Sequence, residues 1–308
     1  MRSSKSTFDA EHCHTLFPIE AIAPLARPRT YKRVEHPIWS HSKAQFIAQY
    51  LRYFVQITKH GAYIDGFAGP QYPEHLDAWT AAKVLASEPK WLRQFFLCEL
   101  KQSSVKELEK LVAEQPIPMS KAGHRLPRKV SIYAGDFNQT VDAVLASNRL
   151  NQKEATFCLI DQRTFECHWS TLTKIAGYKQ APHNKIELLY FLGVGWIHRA
   201  MSGLKDFHGM GELWWGRDDW TSLPDMSCIA LAELVRTRFS EELGYQHTAA
   251  YPIYSQEHGN RVMYYMIHAS DHPEAPALMV RAHSRAVRSL SKETQIEMWK
   301  EGDSREPA

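Results

Sequence analysis

Acidic residues recur at one kind of position in this sequence, directly at or after short apolar runs. Asp65 ends one such run, Glu99 ends a second, Asp136 follows a third and Asp161 ends a fourth. The carboxyl ends of parallel strands form the ligand crevice of an open α/β sheet, so acids at these positions would converge. One acid at a strand end is commonly a helix cap, but four in register predict a binding site lined by acids.

The first acid opens a turn of small residues, 65–70, with the sequence DGFAGP. Ala68 and Gln71 stand where the second and third glycines of a GxGxxG motif would be, which disfavours a dinucleotide. Gly66, Ala68 and Gly69 would still let the backbone approach a ligand closely. Asp65 could accept a hydrogen bond from an ammonium group such as that of a methionine moiety.

The next two acids suit a ligand that also carries a ribose and an adenine. Glu99 could accept hydrogen bonds from both hydroxyls of a ribose. Asp136 could accept a hydrogen bond from the amino group of adenine while Phe137 packs on its ring. In chain order, the turn and the two acids therefore predict one cofactor site. Its residues are Asp65, Gly66, Phe67, Ala68, Gly69, Glu99, Asp136 and Phe137.

The intervening segments predict the elements that position these acids. Apolar runs at 62–65, 94–100, 130–135, 155–161 and 186–193 alternate with helical patterns, which is typical of a parallel sheet buried on both faces. Two β-prone segments, 247–254 and 261–269, follow with only six residues between them, so they predict an antiparallel hairpin. The predicted fold is α/β, a Rossmann-like sheet of five parallel strands plus the hairpin, with helices on both faces. This arrangement resembles class I S-adenosylmethionine-dependent methyltransferases and implies S-adenosylmethionine as the cofactor.

Composition and punctuation divide the chain. Its 308 residues, 44% hydrophobic and 23% charged, exclude disorder, collagen and coiled coil. We expect a polar arm over 1–35, a single domain over 36–290 and a polar tail over 291–308. Within the domain, 204–225 has few periodic signals and is a candidate insertion or substrate loop. Trp214 and Trp215 in that segment would either fill a core or stack on bases.

Charge and hydropathy limit the partners and the compartment. A net charge of +3 is too small to indicate nucleic-acid binding by itself, and three basic clusters are either solvated faces or phosphate-contacting surfaces. The longest apolar run, 188–197, is about half the ~20 residues that a membrane span needs. The N-terminus lacks the apolar stretch of a signal peptide, and no CxxC pair indicates structural zinc. We therefore expect a cytoplasmic protein without a metal site.

Several motifs together resemble the three-Cys-motif partner protein family, from about His36 to Leu290. The family is named for genomic association with three-Cys-motif proteins, which resemble radical S-adenosylmethionine enzymes, so such a protein is an implied partner. The opening motifs are also similar to those of an rRNA adenine-N6 methyltransferase family. The motifs are HSKAQFIAQYLRYF, YIDGFAGP, CEL, GDF, LID, YFLGVG, WWGRDDW and PIY followed by RVMYYMIHASDHP.

The resemblance implies methylation of a base nitrogen, with departures. The family has glycine where Gln71 follows Pro70, and it has Asp-Pro-Phe-Gly where this chain reads DQRTF at 161–165. In related amino-methylating motifs the acid and a proline carbonyl accept hydrogen bonds from the target amino group. An aromatic ring stacks on the base. The expected catalytic residues here are Asp161, Gln162 as a replacement carbonyl acceptor, Arg163 as a phosphate or carboxylate contact, and Phe165 as the aromatic.

Three functions stay open at this point. The favoured one is an S-adenosylmethionine-dependent methyltransferase acting on a nitrogen of a nucleic-acid base, with His41 and Lys43 above the cofactor or on a substrate phosphate. The altered fourth-strand motif favours a second, a non-catalytic methyltransferase-like subunit of a three-Cys-motif protein. The third is a metal-dependent nuclease, in which the strand-end acids would bind Mg²⁺.

Overall fold

A computed structural model of the chain describes residues 38–71, 75–120, 122–195, 197, 201, 207–255 and 261–286. The expected arm, 1–35, and the expected tail, 291–308, lie outside these residues, as does part of the segment 204–225. The described residues include every predicted strand.

One seven-stranded sheet organises the molecule, with the order β3-β2-β1-β4-β5-β7-β6. The first five strands run parallel, and β7 runs antiparallel to both β5 and β6. The predicted sheet of five parallel strands plus a C-terminal antiparallel hairpin is confirmed. The strands are β1 Gly61–Asp65, β2 Leu92–Glu99, β3 Lys129–Ala134, β4 Thr156–Ile160, β5 Glu187–Leu192, β6 His247–Ser255 and β7 Arg261–Ser270.

Helices cover both faces of this sheet, as the buried parallel strands require. Among the described residues, none of them is both long and apolar enough to cross a membrane. The helices are α1 Ile38–Thr58, α2 Thr80–Ala86, α3 Gln102–Ala113, α4 Phe137–Leu145, α5 Trp169–Gly177, α6 Phe207–Trp215, α7 Cys228–Glu241 and α8, 275–286.

Side chains alternate between two hydrophobic clusters, one on each face. In β1, Ala62 and Ile64 join the cluster that α4, α5, α6 and α7 cover, whereas Tyr63 joins the cluster under α1, α2, α3 and α8. All five residues of β1 are buried. Since a strand buried on both faces gains packing from every side chain, the apolar runs of the sequence form the centre of the sheet and hold its carboxyl ends in place.

The segment predicted as an insertion or substrate loop is helical where the structure describes it. Helix α6 is followed by a 3-10 helix, Asp218–Asp225. Trp214 and Trp215 are each 2% exposed and Trp220 is 6% exposed, so these tryptophans fill the core. The helix carries apolar residues around much of its circumference, and the one-sided spacing on which helix prediction depends is therefore weak.

Helix α7 was not predicted from the sequence, although its signal is present. The side chain of Ser227 caps it by accepting from the Ala230 N–H at 3.2 Å, and Cys228, Leu231 and Val235 on one face are buried. A capping serine followed by apolar residues at this spacing is a helix signature.

Candidate functional site

The candidate site lies where the strand order reverses, at the carboxyl ends of β1 and β4. The chain runs outward from β1 to β2 and β3 and then returns to β4 on the other side of β1. Asp65 pairs in register with Leu159, so the loops after β1 and β4 begin at similar levels. Crevices at such a reversal are the usual ligand sites of open α/β sheets.

The turn after β1 is held against the end of β2 by Glu99. Glu99 Oε2 accepts from the Gly69 N–H at 2.9 Å, and Oε1 accepts from the Lys101 N–H at 2.8 Å. The Ala68 N–H also donates to the Cys98 carbonyl oxygen at 2.8 Å. A Cβ on Gly69 would lie 2.1 Å from Glu99 Oε2, so this contact requires glycine. Each Glu99 oxygen accepts one backbone hydrogen bond here and has capacity for another.

The start of the same turn rests on the ring of Phe137. A Cβ on Gly66 would lie 2.7 Å from Phe137 Cδ1, and Phe67 packs edge-to-face on Phe137 with ring centroids 5.9 Å apart. Phe137 is only 2% exposed, whereas Phe67 is half-buried. Phe137 therefore supports the turn from below, and its expected packing on an adenine ring stays a prediction.

Asp65 is buried beneath this turn. Its Oδ2 accepts from the Tyr63 hydroxyl at 2.8 Å and its Oδ1 from the Phe67 N–H at 3.1 Å. Burial raises the pKa of Asp65 from the ordinary 3.8 to about 7, the two hydrogen bonds oppose the rise, and the charges of Asp161 and Glu99 add to it. The site thus concentrates carboxylates that repel one another.

Asp136 caps α4 directly after β3, which lies beyond β2 from β1 in the sheet. Its Oδ1 accepts from both the backbone N–H and the side-chain amide of Asn138 at 2.9 Å, whereas its Oδ2 forms no hydrogen bond within the described part of the chain. Asn138 was not predicted as a site residue, yet it also binds the loop after β4, accepting from the His168 N–H at 2.9 Å. The sequence signal that could have identified Asn138 is its position two residues after an acid that caps a helix.

Asp161 and Lys43 form an ion pair at the end of β4. Lys43 Nζ lies 2.7 Å from Asp161 Oδ1, and the two side chains are 16% and 15% exposed. The ammonium also lies 5.2 Å from the centre of the Phe191 ring, at the end of β5. The structure therefore brings Lys43 from α1 to the acid that we expected to be catalytic. His41 lies in α1 too, but its side chain is outside the described part.

The other residues expected to be catalytic do not meet at Asp161. Gln162 is 2% exposed: its Oε1 accepts from the Cys167 N–H at 2.9 Å and its Nε2 donates to the Phe191 carbonyl oxygen at 3.3 Å. The side-chain oxygen already accepts one hydrogen bond and the buried amide ties the loop to β5, and the expected role as an acceptor for a substrate amino group stays a prediction.

Phe165 and Arg163 differ sharply in exposure. Phe165 is 6% exposed and packs edge-to-face on Trp214 at 5.0 Å, so the expected base-stacking ring is part of the core. Arg163 is exposed, and only its backbone N–H contacts Glu166, at 3.0 Å; its guanidinium forms no ion pair with the described residues. The Arg163 side chain is therefore exposed to solvent, and its expected contact with a substrate phosphate or carboxylate stays a prediction.

No cluster of three or more His, Cys, Asp or Glu side chains within the described ranges is arranged to hold a metal ion. The metal-dependent nuclease alternative therefore gains no supporting geometry from these residues.

Comparison with known proteins adds solved structures of similar architecture. The sequence matches no protein family and no curated protein. The carbon methyltransferase CurJ is similar with 10% identity and a TM-score of 0.44, over 73% of this chain and 54% of that one. Protein LPL1258 from Legionella pneumophila is 10% identical with a TM-score of 0.44, over 78% and 88% of the two chains. The small RNA methyltransferase HEN1 is 10% identical with a TM-score of 0.42, over 80% and 28%.

These solved structures are distant, and the chain spans about half the length of the first of them. The fold assignment therefore rests on this chain's own strand order and direction. The expected kinship with three-Cys-motif partner proteins stays a prediction.

Proposed function

We propose that this protein is an S-adenosylmethionine-dependent methyltransferase that acts on a nitrogen of a nucleic-acid base. The observation that supports the proposal most is the juxtaposition at the strand reversal. A glycine turn braced by Glu99 leaves β1, and the Lys43–Asp161 pair lies at the end of the adjacent β4.

The residues present fit this cofactor. The turn at Gly69 has no room for a side chain, because a Cβ there would meet Glu99 and Ser104, and this packing places the turn beside the Glu99 carboxylate. Glu99 retains acceptor capacity for ribose hydroxyls, and Asp136 Oδ2 is available to an adenine amino group. Asp65 shapes the turn through the Phe67 N–H, and its expected hydrogen bond to an ammonium group stays a prediction, because the side chain is 1% exposed and both oxygens have partners. When bound, the cofactor supplies an electrophilic methyl group.

Asp161 and Lys43 would position the methyl acceptor. Asp161 Oδ1 carries the ion pair, so Oδ2 is the atom that can accept a hydrogen bond from an amino group and orient its lone pair. Lys43, between Asp161 and the Phe191 ring, would hold the carboxylate in place or turn to a substrate phosphate. The exposed guanidinium of Arg163, two residues along, would contact the nucleic-acid backbone.

Calorimetric titration with S-adenosylmethionine and its demethylated product tests the cofactor. We expect binding of both, and we expect Glu99→Ala to weaken it about 10-fold or more, because hydrogen bonds to a carboxylate are lost. The matched control is Glu109→Ala, which removes an exposed carboxylate of α3. Failure of both ligands to bind the unmodified protein would refute the cofactor assignment.

Incubation of RNA and DNA with methyl-labelled cofactor tests the acceptor. We expect labelled nucleic acid, and we expect Asp161→Ala to reduce transfer about 100-fold while cofactor affinity is kept. Asp142→Ala is the matched control, because Asp142 forms an ion pair of the same 2.7 Å length with Lys174 on the surface. Label on protein but not on nucleic acid would exclude this substrate class.

A second candidate is a non-catalytic methyltransferase-like subunit of a three-Cys-motif protein. The burial of Gln162 and Phe165 favours it, since neither side chain faces an acceptor next to Asp161. Cofactor binding without transfer to any nucleic acid, together with stable co-purification with such a partner, would support this candidate over the enzyme.

A further inference from the structure

A cavity of about 290 Å³ lies at the other end of the sheet. It is lined by the second half of α1, the first residues of β4, the loop before β5, the end of β7 and the first turn of α8. These are the amino ends of the parallel strands, whereas the crevice of the proposed methyltransferase site is at their carboxyl ends. The cavity therefore belongs to a different place in the fold.

The floor of the cavity includes a buried carboxylate whose oxygens already have partners. Glu187, 5% exposed, accepts on Oε1 from the Tyr50 hydroxyl and bonds there to His268 Nε2 at 2.8 Å. Its Oε2 accepts from the Ser270 hydroxyl at 3.1 Å. With three donors supplied by the protein, Glu187 is a poor site for a further cation.

Three lysines supply cationic groups among the remaining polar lining. Lys179 is 5% exposed, and its ammonium donates to the backbone carbonyl oxygen of Glu154; it makes no other hydrogen bond with the described residues. An ammonium has three donors, so two of them have no described acceptor. Burial lowers the pKa of Lys179 to about 8, and the charge of Glu154 partly opposes this.

Two further lysines carry the same charge at the cavity edge. Lys185 lies 3.6 Å from Asp271 and donates to the Gly244 carbonyl oxygen, and Lys153 is exposed with no ion-pair partner in the described ranges. The opposite walls are apolar and include Phe54 and Leu278, with Ile57, 45% exposed, beside them. The lining thus combines an apolar surface with the ammonium groups of Lys179 and Lys153, which have donors without an acceptor among the described residues.

From this lining we infer a second ligand site, which binds a small organic anion: a negatively charged head on Lys179 and Lys153 with a compact apolar body against Phe54, Ile57 and Leu278. The volume suits a ligand of metabolite size rather than a peptide or a cofactor. The inference does not depend on the proposed methyltransferase activity, because none of its residues belongs to the crevice.

Titration of the full-length protein with benzoate, benzamide and inorganic phosphate, followed by amide NMR shifts, tests the site. Benzamide keeps the shape of benzoate without its charge, and phosphate keeps the charge without the apolar body. We expect benzoate to bind, with shifts at 153–156 and 179–187, and at least about 10-fold weaker binding of the other two. Equal binding of benzoate and benzamide, equal binding of benzoate and phosphate, or no benzoate binding would overturn the inference.

Two variants locate the charge that is recognised. Lys179→Met should weaken benzoate about 10-fold or more, because a buried donor is removed. If that variant fails to fold, Lys153→Glu on the surface should still weaken benzoate about 3-fold, whereas the remote control Lys110→Glu should not. Benzoate affinity unchanged in Lys153→Glu, or benzoate displaced by S-adenosylmethionine, would place the binding elsewhere and contradict the site.

Discussion

The carboxylates at the two ends of the sheet differ in the number and the sequence separation of their hydrogen-bond partners. At the amino end, Glu187 accepts from three side chains on two other elements, 81 to 137 residues away in sequence. At the carboxyl end, Asp65 and Asp136 accept from groups only two residues away, and Asp161 accepts from one lysine. Glu187 has all its partners far away in sequence, whereas Asp65 and Asp136 shape local turns and Asp161 has one distant partner, Lys43.

This difference separates an acid that holds the fold from Asp136 and Asp161, each of which keeps one oxygen without a hydrogen bond to the described residues. A hydrogen bond between distant elements stabilises the native structure only, whereas a bond spanning two residues also forms in local turns of the unfolded chain. The crevice therefore gains little stability from its negative charge and accumulates repulsion around Asp65. A carboxyl group whose pKa is raised this far in a strand-end crevice is a candidate for binding or catalysis.

The largest expected change in stability comes from removing the Glu187 carboxylate at the amino ends of the strands. Glu187→Ala leaves His268, Tyr50 and Ser270 without their acceptor in a buried place, and we expect the free energy of unfolding to fall by about 3 to 5 kcal/mol. Denaturant unfolding measures it, with Glu109→Ala as an exposed control expected to stay within about 0.5 kcal/mol. A loss below about 1 kcal/mol would remove the contrast between the two ends.

The next effect concerns pH at the carboxyl end. A folded-state pKa of about 7 for Asp65, above its ordinary 3.8, means that the folded chain binds the proton more tightly. The stability contributed by this proton is therefore lost as pH rises from about 4 to about 7, by up to about 4 kcal/mol, and it is level above that range.

Asp65→Asn tests this directly. Asparagine keeps an acceptor for the Phe67 N–H and can pair with the Tyr63 hydroxyl, but it cannot ionise. Unfolding titrations at several pH values should show the variant gaining stability relative to the unmodified chain between pH 4 and 7. A constant difference across that range would show that Asp65 titrates normally and that the crevice carries no stored repulsion.

A smaller effect is expected at the glycine turn. In Gly69→Ala the new methyl group would displace the Glu99 carboxylate and cost its two backbone hydrogen bonds, about 1 to 3 kcal/mol of stability. Gly177→Ala is the matched control, because a Cβ there meets nothing within 4 Å. Thermal unfolding compares the pair, and equal melting temperatures would mean that Glu99 does not brace the turn.

The sequence predicted the crevice better than it predicted the amino end, for the same physical reason. The strand-end acids follow apolar runs directly, so pattern and position along the chain suffice to find Asp65, Glu99, Asp136 and Asp161. Glu187 and His268 are single polar residues within apolar strands, and only the pairing of β5 with β7 brings them together. Their local sequence does not predict that contact.

The same limit explains the residues around Asp161. Lys43 lies on α1, and its pairing with an acid 118 residues away depends on how that helix packs on the sheet. Gln162 and Phe165 were assigned to catalysis from a motif, whereas burial of each is decided by neighbours such as Cys167 and Trp214. Motif position predicts where a residue is attached and leaves open which way its side chain turns.

The smallest expected change in stability concerns the Lys43–Asp161 pair, and it tests most directly whether the acids of the two ends differ in role. The Lys43–Asp161 pair has the same 2.7 Å separation as the Lys174–Asp142 pair, although its side chains are 16% and 15% exposed against 43% and 62%. If Asp161 serves a ligand, removing it should change stability by no more than about 1 kcal/mol, because Lys43 keeps its contact with the Phe191 ring. Double-mutant cycles of both pairs by denaturant unfolding measure the two coupling energies. A coupling of 3 kcal/mol or more at Lys43–Asp161 would make this acid a structural one like Glu187, and the loss of methyl transfer in Asp161→Ala would then report on the fold instead of the chemistry.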